Sequence, residues 1–534
     1  MADEERPADN PDFTDGASGR TSPVVRYRRA SAGFLFISAF FLIVGGLIAL
    51  LMRWHLGYPD ADLPPWLLGG LLPEAIASSG RLLPQGYSAL FTMHGTFMMF
   101  YALIPVLLGF GGYRVLLEEL GTERSVMPAA PFASLALILL SGIAMIVSFT
   151  LEGGPASFGW TAYAPLSAEA GYTGVGPGAD LWLISLIVYA AGLFILAADL
   201  AATVLARWSS RLITLPLVSW SIFISSILLI LSLPILSAGI ILLLSDRMFE
   251  TSFYIPEGLR ISGELLGRPG GGEPLLWQHL FWYFGHPLVY VLILPVMGAI
   301  SRVIPEYAGR PIHGKRSMAW STLAIAFLGM VVWGHHMFQT GLNPLLRSTF
   351  ALSTLLIAIP STVKVYHWLA TLRGGRIRLE PAMLFALGFL ALFVIGGLSG
   401  VFLGSTPVDM YLHDSYFVVA HIHYVLFGGS IFGAFAALYH WFKRRSGGGL
   451  RRRAGQLHFW GTFIGMNLVF FPMHFLGTAG YPRRLYDASG YEYLSGVRGL
   501  NEVMTVGALL LGASQLILIL NMMIPTSKRE SQSK

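Results

Sequence analysis

The feature that most constrains this chain is a series of long apolar segments separated by short polar loops. A helix of about 20 apolar residues spans the hydrocarbon core of a bilayer, and we count twelve such segments. They lie near 31–52, 91–111, 131–151, 181–205, 215–245, 275–304, 318–340, 348–371, 382–404, 416–442, 456–478 and 500–524. Because backbone polar groups must be satisfied within the bilayer, the segments are predicted to be helices.

The composition excludes the main alternatives to a helical membrane protein. The chain is 54% hydrophobic and only 12% charged, which is too little charge for a soluble multidomain protein of this length. The apolar segments do not alternate as the strands of a transmembrane barrel do. The predicted fold class is therefore an all-α integral membrane protein with twelve transmembrane helices.

The basic residues of the loops predict the orientation in the membrane. Placing the N-terminus inside puts most Lys and Arg in inner loops: Arg114, Arg124, Arg207, Arg211, Arg302, Arg310, Lys315, Arg316, Arg373, Arg376, Arg378, Lys443, Arg444, Arg445 and 451–453. The outer loops 152–180 and 405–415 contain neither residue type. By the positive-inside rule both termini are cytoplasmic. The net charge of +6 then reflects topology and does not indicate nucleic-acid binding.

The polar ends of the chain divide it into three parts. Residues 1–30 are predicted to be a disordered cytoplasmic tail, 31–524 a twelve-helix membrane domain, and 525–534 a second cytoplasmic tail. The chain has no cysteine, which excludes a disulfide framework, a thiolate metal site and a covalently attached haem. Any metal ion must then be held by histidine or oxygen ligands.

Two histidines of the tenth segment, "SYFVVAHIHYVL", are candidate functional residues. His421 and His423 are two residues apart and lie about 200° apart around a helix, so they cannot share one ligand sphere. Ionisable groups at membrane depth are functional candidates. Either the two histidines tether neighbouring helices, or they hold two cofactors on opposite sides of one helix.

His94, in "FTMHGTFMMF", lies at a similar predicted depth in the second segment. A haem bridged by His94 and one of the two histidines fits this topology, and the other histidine can then hold a haem with an open coordination position. Gly95 would permit close approach of a flat macrocycle.

A second group of histidines points to a metal ion. His286 and Tyr290, in "WYFGHPLVY", are four residues apart and share one helical face. His335 and His336 follow in "WGHHMF" at the end of the seventh segment. Three imidazoles without a carboxylate suit copper or zinc. Beside a haem, redox-active copper is favoured over zinc.

Lys364, in "IPSTVKVYHW", lies in the eighth segment, deeper than the predicted metal ligands. One interpretation is a lysine that extends to the inner interface. The other is a proton relay, because Ser361 and Thr362 accompany Lys364 and Tyr290 lies one turn inward from His286.

Taken together, these motifs resemble subunit I of the haem-copper oxidase superfamily. "HDSYFVVAHIHYVL", "WYFGHPLVY", "WGHHMF" and "HFLGTAGYPRR" occur in the family's order, and the resemblance covers nearly the whole chain. It implies a haem-copper catalytic domain over 31–524 in the plasma membrane of a prokaryote.

The resemblance also implies a role for each candidate residue. His94 and His423 would be the axial ligands of a low-spin haem, and His421 the ligand of a high-spin haem. His286, His335 and His336 would hold the copper ion CuB. Tyr290 would be covalently joined to His286 and would donate an electron and a proton for breaking the O–O bond.

Further positions match residues around the haems. The resemblance implies that Arg483 and Arg484 neutralise haem propionates, an arrangement that suits guanidinium–carboxylate pairing. Trp160, Asp409 and His413 match other positions on the propionate side. His413 and Asp414 match ligands of a magnesium or manganese ion, and Arg53 matches an arginine at the periphery of the low-spin haem.

Two departures from the family pattern concern proton uptake. Members with two proton routes have a glutamate where this chain has Leu288. They also have an aspartate in the loop after the second helix, where this chain has Arg124 beside Glu123. An aspartate-led route is therefore predicted to be absent or rebuilt, whereas a lysine route through Lys364, Ser361, Thr362 and Tyr290 is predicted to be intact.

The predicted function is that of a terminal respiratory oxidase that reduces O2 to water, takes up protons from the cytoplasm and pumps protons. The alternatives are a nitric oxide reductase of the same superfamily, disfavoured by Tyr290, and a non-catalytic haem electron carrier or a transporter. Two haems of type A, B or O, CuB and a magnesium or manganese ion are the expected cofactors. Expected partners are subunit II, either copper-bearing or quinol-type, subunit III, the lipid membrane, and cytochrome c or quinol as donor.

Overall fold

The computed structural model describes residues 23–67, 72–169, 176–261, 263–267, 270–446 and 450–523. This part of the chain is built almost entirely from long helices. They are α1 Pro23–Gly57, α2 Pro84–Glu119, α3 Ala130–Val147, α4 Pro177–Arg207, α5 Leu217–Met248, α6 Pro274–Ala308, α7 Lys315–Val331, α8 Pro344–Leu372, α9 Pro381–Leu403, α10 Tyr416–Arg445, α11 Arg452–Thr478 and α12 Leu500–Met523. The prediction of an all-α membrane fold is confirmed.

Eleven of these helices are, within the described residues, long and apolar enough to cross a membrane. Helix α7 falls outside that set because it has 17 residues and is followed by a tighter 3-10 turn, Trp333–Met337. The predicted segment 318–340 is thus helical up to Val331. His335 and His336 lie in the turn, whose geometry brings both imidazoles to the same side of the chain.

The N-terminal helix begins earlier than the sequence predicted. Helix α1 starts at Pro23, so residues 23–30 are helical and do not belong to a disordered tail. Tyr27 explains the difference, because it is buried and its hydroxyl hydrogen-bonds Ser125 Oγ at 3.2 Å. The rest of the predicted tail, 1–22, and the predicted tail 525–534 lie outside the described residues.

Two helices change pitch beside the predicted haem ligands. In α2 the π-helical segment Phe97–Ala102 begins three residues after His94. In α10 the π-helical segment Leu426–Ile431 begins three residues after His423. Such wide turns often occur at functional sites. Here each one shifts the following side chains relative to the histidine.

The elements outside the long helices are short. Two hairpins of two-residue strands are present, β1 Ala77–Ser78 with β2 Arg81–Leu82 and β3 Arg260–Ile261 with β4 Glu264–Leu265, both antiparallel. Short 3-10 turns lie at Pro65–Leu67, Ser148–Thr150, Leu212–Thr214 and Glu492–Val497. A seven-residue helix, Thr406–Leu412, precedes α10.

Ion pairs join the helix ends at both ends of the bundle. At the end that carries the Lys- and Arg-rich loops, here called the basic end, Glu119 pairs with Arg302 at 3.1 Å and Glu118 with Arg445 at 3.4 Å. At the opposite end Arg247 binds Asp180 at 2.5 Å. The two pairs at the basic end connect helices that are far apart in sequence, whereas Arg247 and Asp180 join the consecutive helices α5 and α4.

Near the basic end, a buried carboxylate holds the loop between α2 and α3 against α4. Asp199 is fully buried and accepts hydrogen bonds from the Tyr113 hydroxyl and the Met127 amide, both at 2.9 Å. A buried charge is stable only when its hydrogen bonds are made. Asp199 therefore anchors the segment in which the sequence lacks the family's usual aspartate.

Replacing Asp199 with alanine is expected to lower the free energy of unfolding by about 2 kcal/mol, because two buried donors lose their acceptor. Asp199→Asn keeps one acceptor oxygen and should lose less. Thermal denaturation of the detergent-solubilised protein measures both. Equal losses in the two variants would contradict the anchoring role.

Candidate functional site

The predicted site residues surround one large cavity inside the bundle. It has a volume of about 1500 Å³ and is mainly apolar. Six of its lining residues are the predicted ligands: His94, His286, His335, His336, His421 and His423. A pocket for one drug-sized ligand measures about 300–1,000 Å³, so this cavity has room for more than one cofactor.

His94 of α2 and His423 of α10 face one another across the cavity. Their rings are nearly parallel, with an interplanar angle of 16° and centroids 6.4 Å apart. Phe470 of α11 stacks on the His423 ring at 4.0 Å and fixes its plane. Two parallel imidazoles on either side of a gap are suited to axial ligation of one flat macrocycle.

Carbonyl groups determine which nitrogen of these two rings carries the proton. His94 Nδ1 lies 2.9 Å from the Gly45 carbonyl of α1, and His423 Nδ1 lies 2.7 Å from the Val419 carbonyl. A carbonyl oxygen can only accept, so each Nδ1 must donate. Each Nε2 is then left with a lone pair, which is the state a metal ligand requires.

His421 follows the same rule on the other side of α10. Its Nδ1 lies 3.0 Å from the Gly396 carbonyl of α9 and 3.0 Å from Ser399 Oγ. Since the Ser399 hydroxyl itself donates to the Gly396 carbonyl, Nδ1 of His421 is the donor and Nε2 is free. His421 and His423 thus contact different helices, as their spacing predicted.

His286, His335 and His336 form the group of possible metal ligands in the described residues. The nitrogen that each offers lies within 4.8 Å of the other two. His336 Nε2 is 3.0 Å from His286 Nδ1 and 3.1 Å from His335 Nε2. Imidazole nitrogens facing one another at these distances fit a shared cation.

Two neighbours fix the orientation of this triad. His335 Nδ1 lies 2.8 Å from Thr354 Oγ1 of α8, whose own proton goes to the Phe350 carbonyl. His335 must therefore donate from Nδ1, which leaves the Nε2 lone pair facing the triad. Trp282 of α6 stacks on His336 at 3.7 Å and 10°, and its Nε1 donates to the Tyr163 hydroxyl at 2.5 Å.

Tyr290 packs against His286, a candidate metal ligand that lies one turn before it on α6. The rings of His286 and Tyr290 have centroids 4.9 Å apart at an interplanar angle of 66°. His286 presents Nδ1 to the triad, and its buried Nε2 has no hydrogen-bond partner in the described residues.

Lys364 is buried and does not extend to the interface. It is 1% exposed, and its Nζ donates to Thr322 Oγ1 of α7 at 2.7 Å. Ser361 and Thr362, which the sequence placed beside Lys364, line the cavity one turn further from the basic end. The polar partner of Lys364 thus comes from α7 and was not predicted.

Two arginines reach the cavity from the end opposite the basic end. Arg483 pairs with the Asp414 carboxylate, yet its Nε is buried without a hydrogen-bond partner in the described residues. Arg484 lies 5.4 Å above the Phe91 ring. Burial alone would raise the pKa of the Asp414 carboxyl, but Arg483, His413 and Arg484 hold that pKa below its ordinary value.

The remaining predicted residues also line the cavity. Asp409 is buried and accepts from His413 Nδ1 at 3.1 Å. Trp160 packs against Gly95, where a Cβ would lie 2.8 Å from Trp160 Cδ1. The glycine after His94 thus makes room for this tryptophan as well as bordering the cavity.

Arg53 is held by α12 beside the cavity. It donates to Asn501 Oδ1 at 2.9 Å and approaches the Met504 sulfur at 3.5 Å. The predicted magnesium or manganese ligands are His413 and Asp414. In the described part of the chain they belong to no group of three possible metal ligands. His413 binds Asp409, and Asp414 pairs with Arg483.

Sequence reasoning missed three residues that support the site. Trp282 could have been found, because it lies four residues before His286 on the same helical face. Thr354 and Thr322 act on residues of other helices, and nothing in their local sequence signals this.

With this geometry established, comparison with known proteins identifies the family. The family described as Cytochrome C and Quinol oxidase polypeptide I matches residues 29–510. Cytochrome c oxidase subunit 1 of Synechocystis sp. is 40% identical over 505 residues, covering 94% of this chain and 84% of the relative. The alternative cytochrome c oxidase subunit 1 of Bradyrhizobium diazoefficiens is 39% identical over 485 residues, covering 89% and 79%.

A solved structure supports the same fold. A haem-copper terminal oxidase dimer, determined by cryo-electron microscopy, superimposes with a TM-score of 0.76 at 18% identity, covering 95% of this chain and 85% of that one. The resemblance read from the motifs is therefore confirmed.

The family match and the relatives define a haem-copper terminal oxidase. The chain belongs to the subunit I family of these enzymes, which are oxidoreductases, and is an integral protein of the prokaryotic plasma membrane. Membership implies haems and a copper ion as cofactors and a membrane complex with subunit II.

Removing the Thr354 hydroxyl should weaken copper binding. In Thr354→Val the Nδ1–H of His335 loses its acceptor, and loss of such an outer partner typically lowers metal affinity about 10–100-fold. Copper content after dialysis against a chelator measures the effect. Thr354→Ser, which keeps the hydroxyl, is the control, and equal copper retention in both variants would contradict the role of Thr354.

Proposed function

We propose that this chain is the catalytic subunit of a terminal respiratory oxidase that reduces O2 to water. The observation that carries the proposal is the placement of six imidazoles around one apolar cavity. Three of them, His286, His335 and His336, are clustered without a carboxylate. Each of the other three has its Nδ1 bound to a carbonyl and a free Nε2.

The residues divide into three metal-binding groups. His94 and His423 would bind a low-spin haem, His421 a high-spin haem, and the His286 triad the copper ion CuB. When bound, the two haems and the copper ion would supply the electrons that reduce O2. The free Nε2 lone pairs support the assignment, because neutral imidazole is the form that ligates metals.

Tyr290 favours O2 over nitric oxide as the substrate. Its phenol can supply a proton and an electron beside the triad. The buried Nε2 of His286, free of hydrogen bonds in the described residues, is the ring atom available for a covalent bond to Tyr290. The absence of a carboxylate from the described metal triad argues against a nitric oxide reductase.

Arg483, Arg484, Trp160, Asp409 and Arg53 would bind the haem edges. The buried Arg483 Nε supports this, since a propionate oxygen would supply the acceptor that it lacks in the described residues. His413 and Asp414 would bind magnesium or manganese together with ligands from elsewhere. The haem type, A, B or O, depends on cofactor biosynthesis.

Protons would reach Tyr290 from the cytoplasm by way of Lys364. Thr322 donates to the Met318 carbonyl and accepts from Lys364, so it links the lysine to α7. Two turns along α7, Gly329 packs against the Tyr290 ring. Leu288 and Arg124 occupy the positions where members with two proton routes have acidic residues, so the aspartate-led route would be absent or rebuilt. Lys364, with Ser361 and Thr362 beside the cavity, would then carry the protons for chemistry and for pumping.

The membrane arrangement completes the proposal. The ion-paired basic end would face the cytoplasm, with α7 as the twelfth membrane helix and both termini inside. A copper-bearing or quinol-type subunit II would deliver electrons from cytochrome c or quinol, and subunit III would complete the complex. Oxygen and nitric oxide consumption by the purified complex tests the proposal, and nitric oxide turnover without oxygen turnover would refute it.

Lys364→Met should remove most oxygen consumption while leaving both haem spectra unchanged, because it deletes the buried proton carrier without touching a metal ligand. The loss is expected to be about 100-fold, the lower range for a proton-transfer group. Oxygen-electrode assays and optical spectra measure the two effects. Normal turnover in this variant would refute the single-route proposal.

A further inference from the structure

A pair of histidines lies between Lys364 and the basic end of the bundle. His313 is in the loop between α6 and α7 and is exposed, whereas His367 of α8 is 8% exposed. Their Nδ1 atoms are 2.8 Å apart. A hydrogen bond of this length joins an exposed imidazole directly to a buried one, and neither residue is part of the site described above.

The surrounding chain holds the two rings together. The His313 amide donates to Thr371 Oγ1 at 3.0 Å, and the Thr371 hydroxyl donates to the His367 carbonyl at 2.7 Å. Gly314 has a φ of 63°, and a Cβ there would overlap the His367 ring. The loop can therefore approach His367 this closely only because residue 314 is glycine.

His367 and Lys364 lie on the same buried stripe of α8. The buried residues of this half of the helix are Pro360, Lys364, His367, Trp368 and Thr371. Their spacing places His367 one turn from Lys364 on the side of the basic end. Polar groups are thus spaced along one line from the exposed loop, with one hydrogen bond between His313 and His367 and another from Lys364 to Thr322.

The pair can move a proton without a net change in the charge of either ring. Two Nδ1 atoms at hydrogen-bond distance share one proton, so one ring donates and the other accepts. A proton from water binds His313 Nε2, the shared proton passes from His313 Nδ1 to His367 Nδ1, and His367 releases its Nε2 proton toward Lys364. One proton enters and one leaves, and each ring ends as its other tautomer. Each ring resets by taking a proton at its bare nitrogen and releasing the proton from its other nitrogen, so the reset adds and removes no net proton.

We infer that His313 and His367 form the proton uptake relay of the Lys364 route. The inference rests on the proposed function, because it assumes that Lys364 carries protons to the site. The alternative is a purely structural latch that ties the loop to α8. A latch would depend on packing, whereas a relay depends on a titratable ring at each position.

Two variants and a control separate these alternatives. His367→Asn keeps a polar side chain at the buried position but cannot relay a proton, and His313→Ala removes the exposed ring. Tyr366→Phe is the control, because the Tyr366 ring packs against both histidines at 5.2 and 6.0 Å and its hydroxyl is not part of the relay. Oxygen consumption, haem spectra and proton uptake by the reconstituted complex are measured for each.

We expect His367→Asn to slow oxygen consumption about 10-fold or more with native haem spectra, as for loss of a proton-transfer group. His313→Ala should lose less, because water can reach His367, and added imidazole should restore its rate. Tyr366→Phe should match the parent. In the double variant Lys364→Met/His367→Asn, the loss should equal that of Lys364→Met, since groups in series on one route are not additive.

Several results would overturn the inference. One is a parental rate in His367→Asn while Lys364→Met is impaired. Another is a His313→Ala rate that imidazole does not restore. Losses that multiply in the double variant would also place the histidines on a separate path. By contrast, a parental rate in Lys364→Met would refute the lysine route itself. If His367→Asn loses its haems, imidazole rescue of the exposed His313→Ala variant still decides.

Discussion

The site depends on hydrogen bonds from three imidazole Nδ1 atoms to backbone carbonyls. Gly45, Val419 and Gly396 supply these carbonyls, and they belong to α1, α10 and α9. A carbonyl accepts but never donates, so each bond fixes a tautomer and directs an Nε2 lone pair into the cavity. Two of the three carbonyls come from a helix other than the histidine's own, so helix packing sets the ligand positions. The orientation of these candidate ligands is thus set by the helix bundle itself.

The polar groups of the bundle fall into two regions, which have different tasks in the proposed function. Around the cavity the walls are mainly apolar, and in such surroundings each charged or polar contact is stronger. Along α7 and α8, a stripe of Thr371, His367, Lys364 and Thr322 runs toward the basic end. Tyr290 lies where the two regions meet. In the proposed function, metal ligation and proton movement are therefore separated in space but share Tyr290.

The sequence predicted the elements better than the contacts between them, and the candidate ligands that it named line one cavity. Hydropathy located the helices because each had to satisfy its own backbone, and the spacing of His421 and His423 predicted two sides. Hydropathy placed the start of α1 too late, because nothing in the local sequence indicates the contact of Tyr27 with Ser125. Thr354 and Thr322 were missed for the same reason: their partners lie on other helices. The end of α7 at Val331, before His335, was likewise not predicted.

The central claim is that this cavity holds two haems and one copper ion. Pyridine haemochrome spectra combined with elemental analysis of the purified complex test it directly. The account predicts two haems and one copper per copy of this chain, after correction for any copper in subunit II. Non-haem iron in place of that copper would contradict the oxidase assignment, and a single haem would contradict the division of roles between His421 and His423.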